Sequence, residues 1–296
     1  MEMCEIDIQS DQEGPKLLIL AGVHGDEYEP ILAAIELSVI LKDKLKKGTV
    51  QIVPVVNKSA YYAGTRCGTD GLDLARSCPG NLSGSSTMQD AANVSKLILE
   101  CDYLIDLHTG GQLFDLFPLA GYMLHPNQPV LDEQRKMAKA FGLPLVWGTD
   151  PLPEGRTLSI ARDANIPAIY VEYAGPGPVK ENVVNSYING CLNVLALFDM
   201  LTDHRSEVND IQYTVEDYEP DSGFLQQKML SPTDGIFVPK VLPGEIVKRG
   251  QLWGLIYALP LYEIHQVYAD ADGLVLFIRS QPRVNKEESL GGILSV

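Results

Sequence analysis

The stretch Lys16-Leu-Leu-Ile-Leu-Ala-Gly-Val-His24-Gly25-Asp26-Glu27 decides how this chain reads. Lys16–Val23 is a continuous apolar run closed by a glycine-containing turn, as expected of a buried strand. A helix from about Pro30 to Lys46 follows, with an apolar stripe and lysines in its last turns. Strand, glycine turn and helix in that order form the unit of an α/β layer fold. In such folds ligands collect at the carboxyl ends of strands, which is where His24 and Glu27 stand.

The alternation continues outward from this unit. Val50–Val56 and Tyr103–Leu107 read as further buried strands, and Thr87 with Asp90 resembles an N-cap for a helix over Met88–Leu99. Pro129–Phe141 is a helix with Pro at its start and Gly142 just past its end. Ala168–Tyr173 is a strand and Asn182–Leu201 a long amphipathic helix. The expected fold is therefore α/β, with a mainly parallel or mixed sheet flanked by helices. Asn57–Thr87 is long, aperiodic and rich in Gly, Ser, Cys and Arg, the profile of a functional or disordered loop.

From about Ser206 helical periodicity disappears, and short apolar runs are punctuated by Pro and Gly. This predicts two domains, 1–205 and an all-β 206–296. A weak repeat aligns Asp234-Gly235 with Asp272-Gly273, Leu252 with Leu290, Gly254 with Gly292 and Ile256 with Leu294. The duplicated β units resemble a biotinyl/lipoyl hammerhead. The acceptor position of a carrier would lie near Leu261, but no lysine occurs between Lys248 and Lys286, which disfavours a lipoate or biotin carrier.

Composition removes several function classes. The chain has 296 residues, 45% hydrophobic and 21% charged, ordinary for a globular protein. Lys plus Arg number 23 against 39 Asp plus Glu, a net charge of -16. So acidic a surface repels phosphate backbones and anionic lipids, which disfavours nucleic acid and membranes as partners. An anionic small molecule needs locally placed arginines. Cys4, Cys67, Cys78, Cys101 and Cys191 are scattered without a CxxC pair, arguing against a disulfide framework or a thiolate zinc cluster. The chain shows no secretory signal and its apolar runs are strand-sized, so the expectation is a cytoplasmic protein.

Few residues carry a chemical signal. His24 and Glu27, three apart on a turn entering a helix, point the same way and could grip one ion. Imidazole and carboxylate are normal zinc ligands, and a catalytic zinc needs three protein ligands plus water. Asp26 and Glu27 equally suit a helix N-terminus by charge alone, and HxxE by itself is a weak motif. A third ligand is available in Ile105-Asp106-Leu107-His108-Thr109-Gly110-Gly111, where His108 closes a buried strand and Asp106 shares its face. A carboxylate so placed suits orientation of a ligating histidine. Glu172 stands in the apolar run Ile169-Tyr170-Val171-Glu172-Tyr173, where it must be paired or have a raised pKa. Arg66 and Arg76 in the long loop are candidates for anion or oxyanion contacts, with surface solvation the alternative. His125, His204 and His265 read as ordinary polar residues, and Ala174–Val179 lacks the spacing of a nucleotide loop.

Taken together, GVHGDE at 22–27, Asn57, the Arg66 loop, DLARSCPG at 73–80, DLHTGG at 106–111 and EYAGPG at 172–177 resemble the succinylglutamate desuccinylase/aspartoacylase family of zinc-carboxypeptidase-like hydrolases. The wording of the last two motifs is most similar to the subgroup containing N-acetyl-diaminobutyrate deacetylase. The resemblance implies one zinc per chain on His24, Glu27 and His108. It implies Glu172 as general base and then acid, Arg66 polarising the scissile carbonyl, and Arg76 and Asn57 contacting substrate. Where the family usually has DLNR, this chain has Asp73-Leu74-Ala75-Arg76, so the amide that helps hold a substrate carboxylate is replaced by a methyl group. The implied activity is hydrolysis of a small N-acyl amino acid or related amide, and homo-oligomers are compatible with it. The alternatives are a zinc carboxypeptidase acting on peptides and a non-catalytic small-molecule-binding relative.

Overall fold

The computed structural model describes residues 4–204, 210–258, 260 and 263–296. Its first two-thirds contain β1 (Ile6–Gln9), β2 (Lys16–Leu20), α1 (Tyr28–Lys44), β3 (Thr49–Val53), α2 (Lys58–Ala63), α3 (Ser86–Leu99) and β4 (Tyr103–His108). There follow β5 (Phe114–Met123), α4 (Gln128–Phe141), β6 (Leu145–Thr149), α5 (Thr157–Asp163), β7 (Ala168–Ala174) and α6 (Glu181–Leu197). The strands lie in the order β1-β3-β2-β4-β7-β5. Strands β3, β2, β4 and β7 are parallel, whereas β1 runs antiparallel to β3 and β5 antiparallel to β7. The sheet is thus mixed.

Packing explains the unbroken apolar strands. Leu17 and Ile19 of β2 enter the core under α1, α4 and α6, while Leu18 and Leu20 enter the core under α3 and α5. A strand covered on both faces needs no polar alternation, and each buried Leu or Ile contributes about 1.5–3 kcal/mol. Strand β5 escapes pattern reading because Pro118 interrupts it. The proline falls within a register shift between Leu116 and Leu119, where the ladder tolerates a residue without an N–H.

The long aperiodic segment is ordered by short local devices. Asn57 caps α2, its side chain accepting from Ala60 N–H, and Asp73 caps a 3-10 turn over Leu74–Arg76. Thr87 is not the N-cap of α3, which begins at Ser86. Its N–H and hydroxyl both donate to Asp70, at 2.9 and 2.7 Å, so the loop carboxylate caps the helix from outside it. Helix α6 ends at Leu197 rather than Leu201, because the chain reverses at Asp199 with φ 53°.

The C-terminal part holds β8 (Tyr213–Glu216), β9 (Gly235–Pro239), β10 (Ile246–Val247), β11 (Leu252–Ala258), β12 (Ile264–Tyr268), β13 (Gly273–Arg279), β14 (Arg283–Val284) and β15 (Gly291–Leu294). Strand β9 pairs with β11 and β13 with β15, both antiparallel. The two halves exchange short strands: Val247 of β10 pairs with Gly273, and Val284 of β14 with Gly235. The two Asp-Gly repeats therefore mark equivalent starts. Strand β8 joins β6 and β13 joins β5, so β8, β10, β13 and β15 extend the central sheet, while β12, β11, β9 and β14, in that order, form a separate four-stranded sheet. Leu261 and the 205/206 division lie outside the described residues.

Candidate metal centre

Three adjacent parallel strands, β2, β4 and β7, end at one place. Register puts His108 beside Glu172 and Asp106 beside both Leu20 and Tyr170. With a side-chain period of two, Asp106 and His108 share one face, and Tyr170 and Glu172 continue it on the next strand. His24 follows β2 through a turn that Gly22 makes with φ 62°. A Cβ on Gly25 would lie 1.9 Å from the Ala60 carbonyl carbon, so α2 packs directly against the turn and positions it. Glu27 occupies the N-cap of α1 without making a capping bond. Its carboxylate turns to the histidines instead.

Glu27 Oε1 lies 2.7 Å from His24 Nδ1, and Oε2 lies 3.0 Å from His108 Nδ1. Ligand atoms of His24, Glu27 and His108 all fall within 4.8 Å of one another, and all three residues are buried. The opposite nitrogen of each ring faces another carboxylate. Asp73 Oδ1 is 3.2 Å from His24 Nε2, and Asp106 Oδ1 is 3.1 Å from His108 Nε2. Asp106 Oδ2 also accepts from the Thr157 hydroxyl at the start of α5. Such outward carboxylates set ring orientation and leave the inner nitrogens for an ion.

The electrostatics favour positive charge at the centre. Burial opposes ionisation of Glu27, but the charges and hydrogen bonds of His24 and His108 hold it well below the usual carboxylate range. Burial likewise opposes charge on His108, yet Asp106 and Glu27 push it well above the usual imidazole value. Two imidazoles and one carboxylate, buried and converging, make a donor set that fits a divalent cation.

Glu172 faces this cluster, half-buried, with its pKa pushed up to about 7, chiefly by burial and further by Glu27; His108, His24 and Arg66 pull the other way. Arg66 clasps Asp73 through Nε and Nη2, both at 3.1 Å, and its Nη1 is 3.4 Å from His24 Nδ1. Arg76 is exposed at the end of the 3-10 turn. A cavity of about 140 Å³ is walled by His24, His108, Glu172, Arg66, Ala75 and Arg76, and a second of about 480 Å³ shares Arg66, Arg76 and Glu172.

Not every expected residue arrives. Asn57 is fully buried, spends its side-chain oxygen on capping α2, and lies on neither cavity wall. His125 is likewise structural, bonded to Arg162 O and Asn127 N–H. Conversely, Asp73, Thr157, Arg156 and Trp147 reach the centre or its cavities without any periodic signal in the chain. The usable cue for Asp73 was its place opening the DLAR turn; Arg156 and Thr157 follow a Pro- and Gly-bounded turn at 151–155.

Comparison with known proteins is consistent across sequence and fold. Residues 13–198 match the succinylglutamate desuccinylase/aspartoacylase catalytic domain. Over 300 aligned residues the chain is 29% identical to the N-alpha-acetyl-L-2,4-diaminobutyric acid deacetylase of Halomonas elongata, covering 99% of this chain and 86% of that protein. A succinylglutamate desuccinylase/aspartoacylase structure from Rhodobacter sphaeroides superposes with a TM-score of 0.88 at 25% identity, over 99% of this chain and 88% of that one. The product-bound ectoine utilization protein of Ruegeria pomeroyi shares the fold, with a TM-score of 0.86 at 23% identity over 98% and 88% of the two chains.

Proposed function

We propose that this chain, which belongs to the succinylglutamate desuccinylase/aspartoacylase family, is a zinc-dependent deacylase that hydrolyses the amide of a small N-acylated amino acid or related compound. The observation that carries this reading is the in-register pair His108 and Glu172, with His24 and Glu27 one strand away. His24, Glu27 and His108 would hold the zinc. Bound there, zinc supplies Lewis acidity, lowering the pKa of a water and polarising the amide carbonyl.

The chain's own residues perform the remaining work. Glu172 accepts a proton from the attacking water at its carboxylate and returns it to the leaving amine, a role suited to a pKa near working pH. Arg66, oriented by Asp73, donates to the oxygen on which negative charge develops. Asp106 and Asp73 hold the histidine rings in place. Residues 1–205 form the catalytic part in this reading. The exchanged-strand unit within 206–296, read as hammerhead-like, closes the cavity with Leu276 and Phe277.

The test is elemental analysis of dialysed protein before and after zinc addition, followed by release of amine from N-acetyl, N-succinyl and N-formyl amino acids. One zinc per chain with amine release supports the reading; no metal under either condition sinks it. Two substitutions probe individual roles. Asp106→Asn should weaken zinc affinity by about 10–100-fold, measured by chelator competition, because His108 loses its orienting charge. Arg66→Ala should lower kcat by about 10²–10³-fold. It should also move the acid limb of the pH–rate profile upward, since the positive charge of Arg66 helps to hold the Glu172 carboxyl down. An unmoved limb would separate Arg66 from Glu172.

A further inference from the structure

Two arginines on the smaller cavity, Arg76 and Arg156, have no carboxylate partner among the described residues, whereas Arg66 is tied to Asp73. Arg76 donates to the Ala75 carbonyl at 2.7 Å. Arg156, half-buried, has an Nε–H buried without a hydrogen-bond partner. Both guanidinium groups lie against one ring, 6.0 and 4.7 Å from the centroid of Phe224. Their backbones are locked together: Cys78 N–H donates to Gly155 O at 2.9 Å, and a Cβ on Gly155 would lie 2.7 Å from Arg76 O. In a chain with net charge -16, two neighbouring arginines that Asp73 and Glu172 reach only at longer range, with no ion pair of their own among the described residues, mark a place for an anion that arrives with the ligand. Burial and then Arg76 lower the pKa of Arg156, and an anion between them relieves both.

Beyond the arginines and the metal-centre side chains, that wall combines apolar Leu116, Leu119, Met123, Trp147, Leu276 and Phe277 with the neutral polar groups of Thr149, Thr157, Tyr170 and Gln226. Ala75 adds only a methyl group. The carboxylates on the wall are Asp106, already taken by His108 and Thr157, and Glu172, committed to proton transfer. An ammonium group entering here would face two arginines and lose its hydration against hydrocarbon and a few neutral hydroxyl and amide groups, with no free acid to pair with. The cavity's volume of about 140 Å³ is close to the ~150 Å³ of an apolar protein cavity that takes a benzene ring. Trp147, 5% exposed with its Nε1–H unpartnered among the described residues, adds one neutral donor.

Resting on the deacylase reading above, we propose that Arg156 is a specificity-determining residue: with Arg76 it holds the substrate carboxylate beside Phe224, while the adjoining apolar chamber takes an uncharged side chain and rejects a cationic one. The substrates are then N-acyl amino acids with apolar or ring-bearing side chains. The chain would differ in this from the Halomonas relative, whose name specifies a diamino acid.

Calorimetric binding to the Glu172→Gln chain tests this, since that variant should bind without turnover. The probes are N-acetyl-L-methionine, its carboxamide, and Nα-acetyl-L-2,4-diaminobutyrate. N-acetyl-L-methionine is expected to bind at least about tenfold tighter than either other probe. Adding Arg156→Met should weaken it by about 10–100-fold and leave the carboxamide within about twofold, while Arg156→Lys keeps most of the preference. Tighter or equal binding of the diaminobutyrate probe overturns the proposal, as does equal loss of acid and carboxamide in Arg156→Met. Should Arg156→Met fail to fold, the three-probe comparison and Arg156→Lys decide alone. The expected binding order with no hydrolysis of any probe by the zinc-loaded native chain upholds Arg156 and sinks the deacylase reading instead.

Discussion

Under the proposed mechanism, replacing Glu172 by Gln should lower kcat by about 10²–10⁴-fold, the range for loss of a general acid–base group, and leave zinc binding intact. The separation of the two effects follows from position. Glu172 stands beside His108 on the next strand but outside the His24–Glu27–His108 cluster, so on the proposed roles its loss removes a proton acceptor and no ligand. The amide of Gln keeps the shape of the side chain and cannot take a proton at neutral pH. Burial pushes the Glu172 carboxyl up to about 7. A raised carboxyl pKa means that lowering the pH through it protonates the base, so the native rate falls on the acid side. Zinc, as a nearby positive charge, moves that limb to lower pH. The limb should be missing from the residual activity of Glu172→Gln. Measuring kcat against pH beside zinc content checks both halves, and a variant at native rate would remove Glu172 from the mechanism.

The second large effect is loss of the metal itself. Glu27→Ala should reduce zinc affinity by more than the ~10–100-fold expected for an orienting carboxylate, and take activity to background. Each Glu27 oxygen serves one imidazole, so its removal would delete a proposed ligand and release both rings from their common partner. It also removes one of the charges that hold positive charge on His108. Thermal unfolding gives a direct readout. A ligand at 100 times its Kd stabilises the folded chain by about 2.7 kcal/mol. Zinc should therefore raise the Tm of the native chain and leave that of Glu27→Ala unchanged. A variant that still holds one zinc per chain would show that Glu27 is not a ligand.

How much of this was legible depended on range. The strand ending at His108 and the turn carrying His24 and Glu27 could be read directly, because a buried strand, a glycine turn and a helix start are each written within about ten consecutive residues. The same holds for α4, with Pro129 at its start and Gly142 at its end. Strand β5 was hidden by Pro118, whose interruption of the ladder makes sense only beside β7. Thr87 looked like a cap because the true capping carboxylate, Asp70, is seventeen residues away in the chain. Asn57 looked available because nothing local shows that α2 takes its side-chain oxygen and buries it.

By itself, then, the sequence determined an α/β sheet followed by β structure, and picked out His24, Glu27, His108, Glu172 and Arg66 as the candidate groups for chemistry. Only the tertiary structure decided that β2, β4 and β7 are neighbours, which is what gathers those groups within reach of one another. It also decided that Asp73 and Thr157 support them, and that Arg156 and Trp147 shape the adjoining cavity. The reason is physical. Periodicity and capping are properties of short segments, whereas a site is a meeting of strand ends and loops from distant parts of the chain. Which ends meet is set by burial across the whole sheet and not by any one stretch of it.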